Sequence, residues 1–281
     1  MRIDSHHHIW DLAVRDQGWI TGDAMQPIRR NFSMSDLREA IAGHGIDKTV
    51  LVQTVTDYAE TPELLALAES DPLIAGVVGW LKIDAPDAIE QLRGYLDLPG
   101  AKYLKSIRDI AQDHPDSNYL GKPETIANVR KLGEFGIAYD LLTKTAELAG
   151  AVALVKACPD VQFIMDHISK PEIATGKVQP WKTLMTELAS FPNVVCKVSG
   201  LVTEAKWYEW KAGDFKPYAD HLIEIFTPQR LMFGSDWPVA TLGGTYAQVI
   251  NLAEELTKGF SKGEGEYFWS KTVIAAYGLN T

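Results

Sequence analysis

The sequence predicts one α/β domain over residues 1–281, a (β/α)8 TIM barrel. Three observations carry this expectation. Apolar, strand-like runs alternate with amphipathic segments eight times along the chain. The strand-like runs are short and nearly continuously apolar, as in parallel sheets buried on both faces. The length of 281 residues is close to the roughly 250 that such a barrel takes. No Gly-x-Gly-x-x-Gly follows the first strand, so an open dinucleotide-binding sheet loses its main support.

The elements follow in order. Residues 3–8 form the first strand, and a long polar and aromatic loop to about residue 31 follows, with Trp10, Trp19, Arg15, Arg29 and Arg30. A loop of that length is expected to cover something. Ser33 or Ser35 caps a helix that runs to His44 and stops at Gly45. Strand two is 49–54, followed by a helix with Pro62 in its first turn. Strand three is 74–80, and Pro86 opens a helix to Leu96. Strand four is 101–107, and after a polar loop with Asp113, His114 and Asp116 a helix spans 123–135. Strand five is 136–141, with Thr143 capping a helix to Ala157. Strand six is 161–166, with a helix over 181–190. Strand seven is 194–198, and a loop bearing Trp207, Tyr208 and Trp210 leads to a helix over 217–226. Strand eight is 230–234, with helices over 245–256 and near 270–277.

Composition bounds the function. Apolar residues make up 46% and charged residues 23%, ordinary values for a globular protein. A net charge of −10 with no basic block argues against nucleic-acid and anionic-membrane partners. No apolar run approaches the 18 or so residues of a membrane helix, and the N-terminus lacks a signal-peptide plan. Cys158 and Cys196 make neither a zinc spacing nor a disulfide framework. A cytoplasmic enzyme with a small-molecule substrate is expected, with a homo-oligomer left open.

Polar residues gather where they are least expected, at the C-terminal ends of the strands, the end at which barrels of this kind place their sites. They are His6 and His8, Lys105 and Arg108, Tyr139 and Asp140, His167 and Lys170, Lys197 and Ser199, and Asp236. In Asp4-x-His6-x-His8 the period of two places all three side chains on one strand face and His7 on the other. Two imidazoles about 7 Å apart along a strand can converge on one metal ion or one substrate oxygen. Trp10 and Trp237 offer apolar faces with a polar edge, suited to a sugar ring.

Asp4-x-His6-x-His8, Asp166-His167-x-x-Lys170-Pro171 and Gly234-Ser235-Asp236-Trp237-Pro238 together resemble the amidohydrolase superfamily. More narrowly, they resemble its lactonase branch, which includes fuconolactone and rhamnonolactone hydrolases and pyrone-dicarboxylate lactonases. Leu104-Lys105-Ser106-Ile107-Arg108 and Cys196-Lys197-Val198-Ser199-Gly200-Leu201 fit the same branch, and the resemblance runs from Arg2 to about Leu279. It implies a barrel of the metal-dependent hydrolase type that opens a sugar lactone. Asp236 would be the base that activates water. His6 and His8 would polarise the carbonyl, and His167 would donate to or orient the substrate. Arg108, Lys105, Trp10 and Trp237 would bind the substrate. Strand five has no histidine, so a single divalent ion is expected, most simply zinc on His6, His8 and Asp236, and activity need not strictly require it. The alternatives are a metal-dependent decarboxylase of the same superfamily and a non-catalytic sugar-acid binding protein.

Overall fold

A computed structural model describes all residues Met1–Thr281. Its eight strands are β1 (Ile3–His7), β2 (Lys48–Val52), β3 (Ile74–Gly79), β4 (Leu104–Ile107), β5 (Ala138–Leu141), β6 (Phe163–Met165), β7 (Val194–Val198) and β8 (Leu231–Phe233). Each pairs in parallel with its neighbour in sequence, in the order β1 to β8. Between them run α1 (Met34–Ile41), α2 (Glu60–Ser70), α3 (Ala88–Leu96), α4 (Pro123–Glu134), α5 (Leu148–Ala157), α6 (Trp181–Ala189) and α7 (Ala212–Phe226). After β8 come α8 (Tyr246–Leu256), α9 (Lys262–Glu266) and α10 (Thr272–Tyr277). The expected barrel is therefore present. No helix is long and apolar enough to cross a membrane.

The ring closes between β1 and the residues just past β8. The His8 amide donates to the Trp237 carbonyl at 2.7 Å, and the Asp236 amide donates to the His6 carbonyl at 2.8 Å. Ser5 Oγ donates to the Phe233 carbonyl at 2.6 Å. Asp4 ties the two strands together, with its carboxylate accepting from the His6 amide at 3.1 Å, the Ser235 amide at 2.8 Å and Tyr246 Oη at 3.1 Å. Burial raises the Asp4 pKa to about 6, against these donors.

The expected alternation of Asp4, His6 and His8 on one face is corrected here. In the β1–β2 ladder Asp4 faces Thr49 and His7 faces Leu51, so three steps on β1 match two on β2. The extra residue is a β-bulge, which shifts the facing of all that follows it. Ile3 belongs to the apolar cluster inside the barrel, whereas Asp4 reaches outward to Tyr246 of α8. Beyond the bulge His6 and His8 point inward, and His7 points outward to Thr49 Oγ1 at 3.0 Å.

The apolar layer between strands and helices is continuous around the ring. A smaller cluster fills the barrel floor, where Ile3, Val50, Ile164 and Met232 meet Val273 and Tyr277 of α10 and Leu279, two residues past its end. The terminal helix therefore plugs the end opposite the strand C-termini. Ser33 caps α1 with Asp36 at its third position, as a capping box requires. The seventh helix begins at Ala212, earlier than expected, and takes Pro217 into its second turn. The Asp214 carboxylate accepting from the Lys211 amide sets that earlier start. The long first loop is clamped at Arg15, whose guanidinium donates to Asp57 at 2.7 Å and to Glu63 at 2.8 and 3.0 Å.

Replacing Asp4 by Ala leaves two buried amides without acceptors. We expect a loss of about 2–4 kcal/mol in urea unfolding, with most of it regained by Asp4→Asn, which keeps an acceptor oxygen.

Candidate active site

Four side chains converge inside the C-terminal mouth. Asp236 Oδ1 lies 3.5 Å from His8 Nε2, 3.8 Å from His167 Nε2 and 3.9 Å from His6 Nε2. The Nε2 atoms of His6 and His8 are 3.1 Å apart. All four residues are buried. His8 Nδ1 is 2.8 Å from the Val52 carbonyl. A carbonyl only accepts, so Nδ1 carries the proton and Nε2 presents its lone pair to the centre.

Beneath them lies a layer of fully buried charge. Lys197 of β7 places Nζ 2.7 Å from Asp140 Oδ2, 2.9 Å from Asp166 Oδ1 and 3.1 Å from His6 Nδ1. Asp140 Oδ2 accepts a hydrogen bond from this ammonium, and Asp166 Oδ1 pairs with it by charge. Ser106 Oγ and Tyr277 Oη also donate to Asp140, at 2.7 and 2.6 Å. Arg108 donates from Nη1 to Asp166 Oδ2 at 3.0 Å and from Nη2 to the Gln53 carbonyl at 2.6 Å, and its Nη1 stands 3.4 Å from His6 Nε2. Two carboxylates and two cations thus neutralise one another where lone charges would be prohibitive.

This layer sets the ionisation above it. Burial, reinforced by Lys197, holds the His6 pKa well below the ordinary histidine value, so the ring is neutral. Burial also lowers His167, to about 4. Burial pushes the Asp236 pKa up, but the nearby His167, His8 and Lys170 side chains outweigh it and leave it below the usual carboxylate value. Near neutral pH the mouth holds an ionised carboxylate facing the neutral rings of His6 and His167.

Backbone geometry aims two of these groups. His167, Ile168, Ser169 and Lys170 all have positive φ, at 51°, 49°, 57° and 42°, and Asp236 is at 59°. Left-handed turns of non-glycine residues cost roughly 1–2 kcal/mol per residue, and such strain gathers at functional sites. The turn is held by Trp181 Nε1 donating to the Ile168 carbonyl at 2.6 Å and by a Thr143–Ser169 hydroxyl contact of 2.8 Å. His167 Nδ1 rests 2.9 Å from Ser199 Oγ. Gly200 lies beneath the ring at φ 62°, where a Cβ would sit 2.7–2.9 Å from three His167 atoms.

Of the residues expected to bind substrate, Arg108 is at the cluster, with most of its donors committed to protein acceptors. Lys105 is not. Its Nζ lies 3.4 Å from the carbonyl of Gly278, at the plugged end, because Lys105 stands at the N-terminal start of β4 and Arg108 just past its C-terminal end. Trp10 and Trp237 lie between the first loop and the turn after β8. Both pack on Phe32, with ring centroids 5.1 and 5.4 Å apart, and Trp10 Nε1 donates to the Arg30 carbonyl at 2.7 Å. These tryptophans seat the first loop on the β8 turn. Asp140, Asp166 and Tyr277 were missed as site-shaping residues. Asp166 stood in a quoted motif and Asp140 at a strand end, but nothing in the sequence pairs either with Lys197.

The donor set suits a single divalent cation. Ligands bound at about 2.0–2.2 Å in a tetrahedron are roughly 3.3–3.6 Å apart, close to the separations among His6, His8 and Asp236. Donor atoms of His6, His167 and Asp236 all lie within 4.8 Å of one another. The Val52 carbonyl on His8 Nδ1 is the kind of outer partner that orients a ligating histidine. Lys197 and Arg108 flank His6 with positive charge, which makes it the weakest donor of the set.

Comparison with known proteins places this geometry in a family. The amidohydrolase family profile matches residues 3–279. The chain belongs to the amidohydrolase family. An L-fucono-1,5-lactonase of Burkholderia multivorans is 32% identical over 290 residues, covering 99% of this chain and 96% of the relative. An L-fucono-1,5-lactonase of Burkholderia ambifaria is 33% identical over 245 residues, covering 87% and 83%. A Burkholderia multivorans amidohydrolase solved with bound zinc superposes with a TM-score of 0.92 at 32% identity, over 100% of both chains.

Gly200→Ala should displace the His167 ring and cost both stability and turnover. A fall of at least tenfold in kcat is expected, measured beside the melting temperature, because the added methyl has no position that spares both the ring and the backbone.

Proposed function

We propose that this amidohydrolase opens the ring of a sugar lactone by hydrolysis. The observation that carries the reading is the Asp236 carboxylate, ionised and within 3.5–3.9 Å of three imidazole nitrogens at the barrel mouth. The sugar-lactone relatives support the same substrate class at more than 30% identity over most of the chain.

In the proposed reaction Asp236 takes a proton from a water molecule as its oxygen adds to the lactone carbonyl carbon. The negative charge that develops on the carbonyl oxygen is met by His167, whose Nδ1 rests on Ser199 Oγ and whose Nε2 faces the mouth. Collapse breaks the bond between the carbonyl carbon and the ring oxygen. The alkoxide released takes the proton back from Asp236, leaving a hydroxy acid and an unchanged enzyme. His167, held by Ser199, orients the substrate. Arg108 lies on the β2–β4 side of the mouth and stabilises Asp166 beneath His6. A divalent ion, zinc in our reading, would be held by His6, His8 and Asp236, with His167 as a further donor, and when bound would polarise the carbonyl and acidify water. The decarboxylase alternative and that of a binding protein without catalysis gain no support from these relatives.

The test is a pH-indicator screen of aldono-1,4-lactones, aldono-1,5-lactones and pyrone lactones, run with and without chelator. Wild type is expected to open aldonolactones. Asp236→Asn should keep its melting temperature and lose about 10²–10⁴-fold in rate. Turnover near the wild-type level in that variant would remove Asp236 as the base.

A further inference from the structure

We infer that Lys170 and Glu204 form a hydroxyl-binding pair at the rim of the mouth, and that this pair selects polyhydroxy lactones over anionic or unsubstituted ones. The inference rests on the lactonase reading and adds to it a recognition element.

Lys170 closes the left-handed turn that begins at His167, with its amide donating to the His167 carbonyl at 2.8 Å. Residues three apart in so tight a turn eclipse one another, so Lys170 emerges on the His167 side. Glu204 arrives from the loop after β7, where its carbonyl accepts from the Ala174 amide at 2.9 Å and so ties that loop to the segment following Lys170. The two side chains are mostly buried, at 15% and 22% exposure, yet Lys170 Nζ and Glu204 Oε1 stand 4.0 Å apart. That is too far for a hydrogen bond, and Lys170 Nζ has no closer carboxylate. Glu204 Oε1 has only a long contact of 3.5 Å from Thr203 Oγ1. An ammonium and a carboxylate thus face each other across a gap at the edge of solvent, where a substrate hydroxyl can take the place of water.

The gap has the dimensions of one hydroxyl. An oxygen about 2.8 Å from each partner spans it. A hydroxyl accepts from the ammonium and donates to the carboxylate at once. A substrate carboxylate would meet the ammonium but be repelled by Glu204. An unsubstituted ring would offer the gap neither a donor nor an acceptor, and sites built to bind a hydroxyl discriminate strongly against its absence. The position is also next to the chemistry, since the Lys170 charge helps lower the pKa values of both Asp236 and His167, and Asp236 in turn acts on Glu204.

The experiment compares wild type, Lys170→Met and Glu204→Gln on an aldono-1,5-lactone and on δ-valerolactone. Calorimetric binding of an alditol is measured in parallel, with melting temperature as the folding control. The ratio of kcat/KM for the aldonolactone to that for δ-valerolactone should fall at least tenfold in each variant, chiefly through KM, and alditol affinity should fall with it. An unchanged ratio together with unchanged alditol affinity in folded variants overturns the pair while leaving the lactonase reading intact. A wild type that opens no lactone but binds the alditol through the pair overturns the lactonase reading and upholds the pair. Glu204→Asp, which keeps the charge on a shorter arm, should recover part of the alditol affinity that Glu204→Gln loses.

Discussion

The closing seam of the barrel is the constraint on which the rest depends. In a sheet of eight parallel strands, β1 and β8 must find each other across almost the whole chain, and here that pairing is what assembles the site. The amide and carbonyl groups that join them belong to His6, His8, Asp236 and Trp237, so the backbone contacts that close the ring also set the distance from the histidines to the carboxylate. Asp4 acts as the clasp. Its one carboxylate fixes the His6 amide on one side and the Ser235 amide on the other, across 231 residues of sequence.

The barrel interior is layered by polarity. The floor is apolar and sealed by α10. Above it Asp140, Lys197, Asp166 and Arg108 alternate in sign, a close arrangement that is tolerable only because each charge is both paired and hydrogen-bonded. The mouth is built from three imidazole rings around one carboxylate. Tyr277 joins the ends of this gradient, with its ring in the floor and its hydroxyl on Asp140. The cost of the arrangement falls on the loops. His167 and Asp236 both sit in left-handed backbone, and the turn from His167 to Lys170 persists because Trp181, Ser169 and Gly200 leave it no better alternative.

Much of this was legible in the sequence. The strand count followed from periodicity, and the three polar motifs lay at strand ends where a barrel gathers its chemistry. The failures have physical causes. Alternation placed Asp4 with His6 because a bulge leaves no mark in a five-residue strand, yet the bulge is what turns Asp4 to the helical layer and His6 to the centre. Lys105 and Arg108 were grouped by proximity in sequence, although the strand sends them to opposite ends of the barrel. Trp10 and Trp237 look the same whether they stack on a sugar or on Phe32. The Asp140–Lys197–Asp166 cluster joins β5, β6 and β7, and no local pattern encodes which buried acid meets which buried base.

The most direct test of the seam is to break it in a protein that remains folded and to ask whether the chemistry suffers more than the stability does. Asp4→Ala is compared with Leu222→Ala, a truncation of a buried apolar α7 side chain that makes none of the seam's hydrogen bonds, using aldonolactone turnover at a temperature where both variants are fully folded. If the seam sets the geometry of His6, His8 and Asp236, the Asp4 variant loses at least ten times more of its kcat than the Leu222 variant. Equal losses would contradict the account and reduce the seam to one stabilising contact among many.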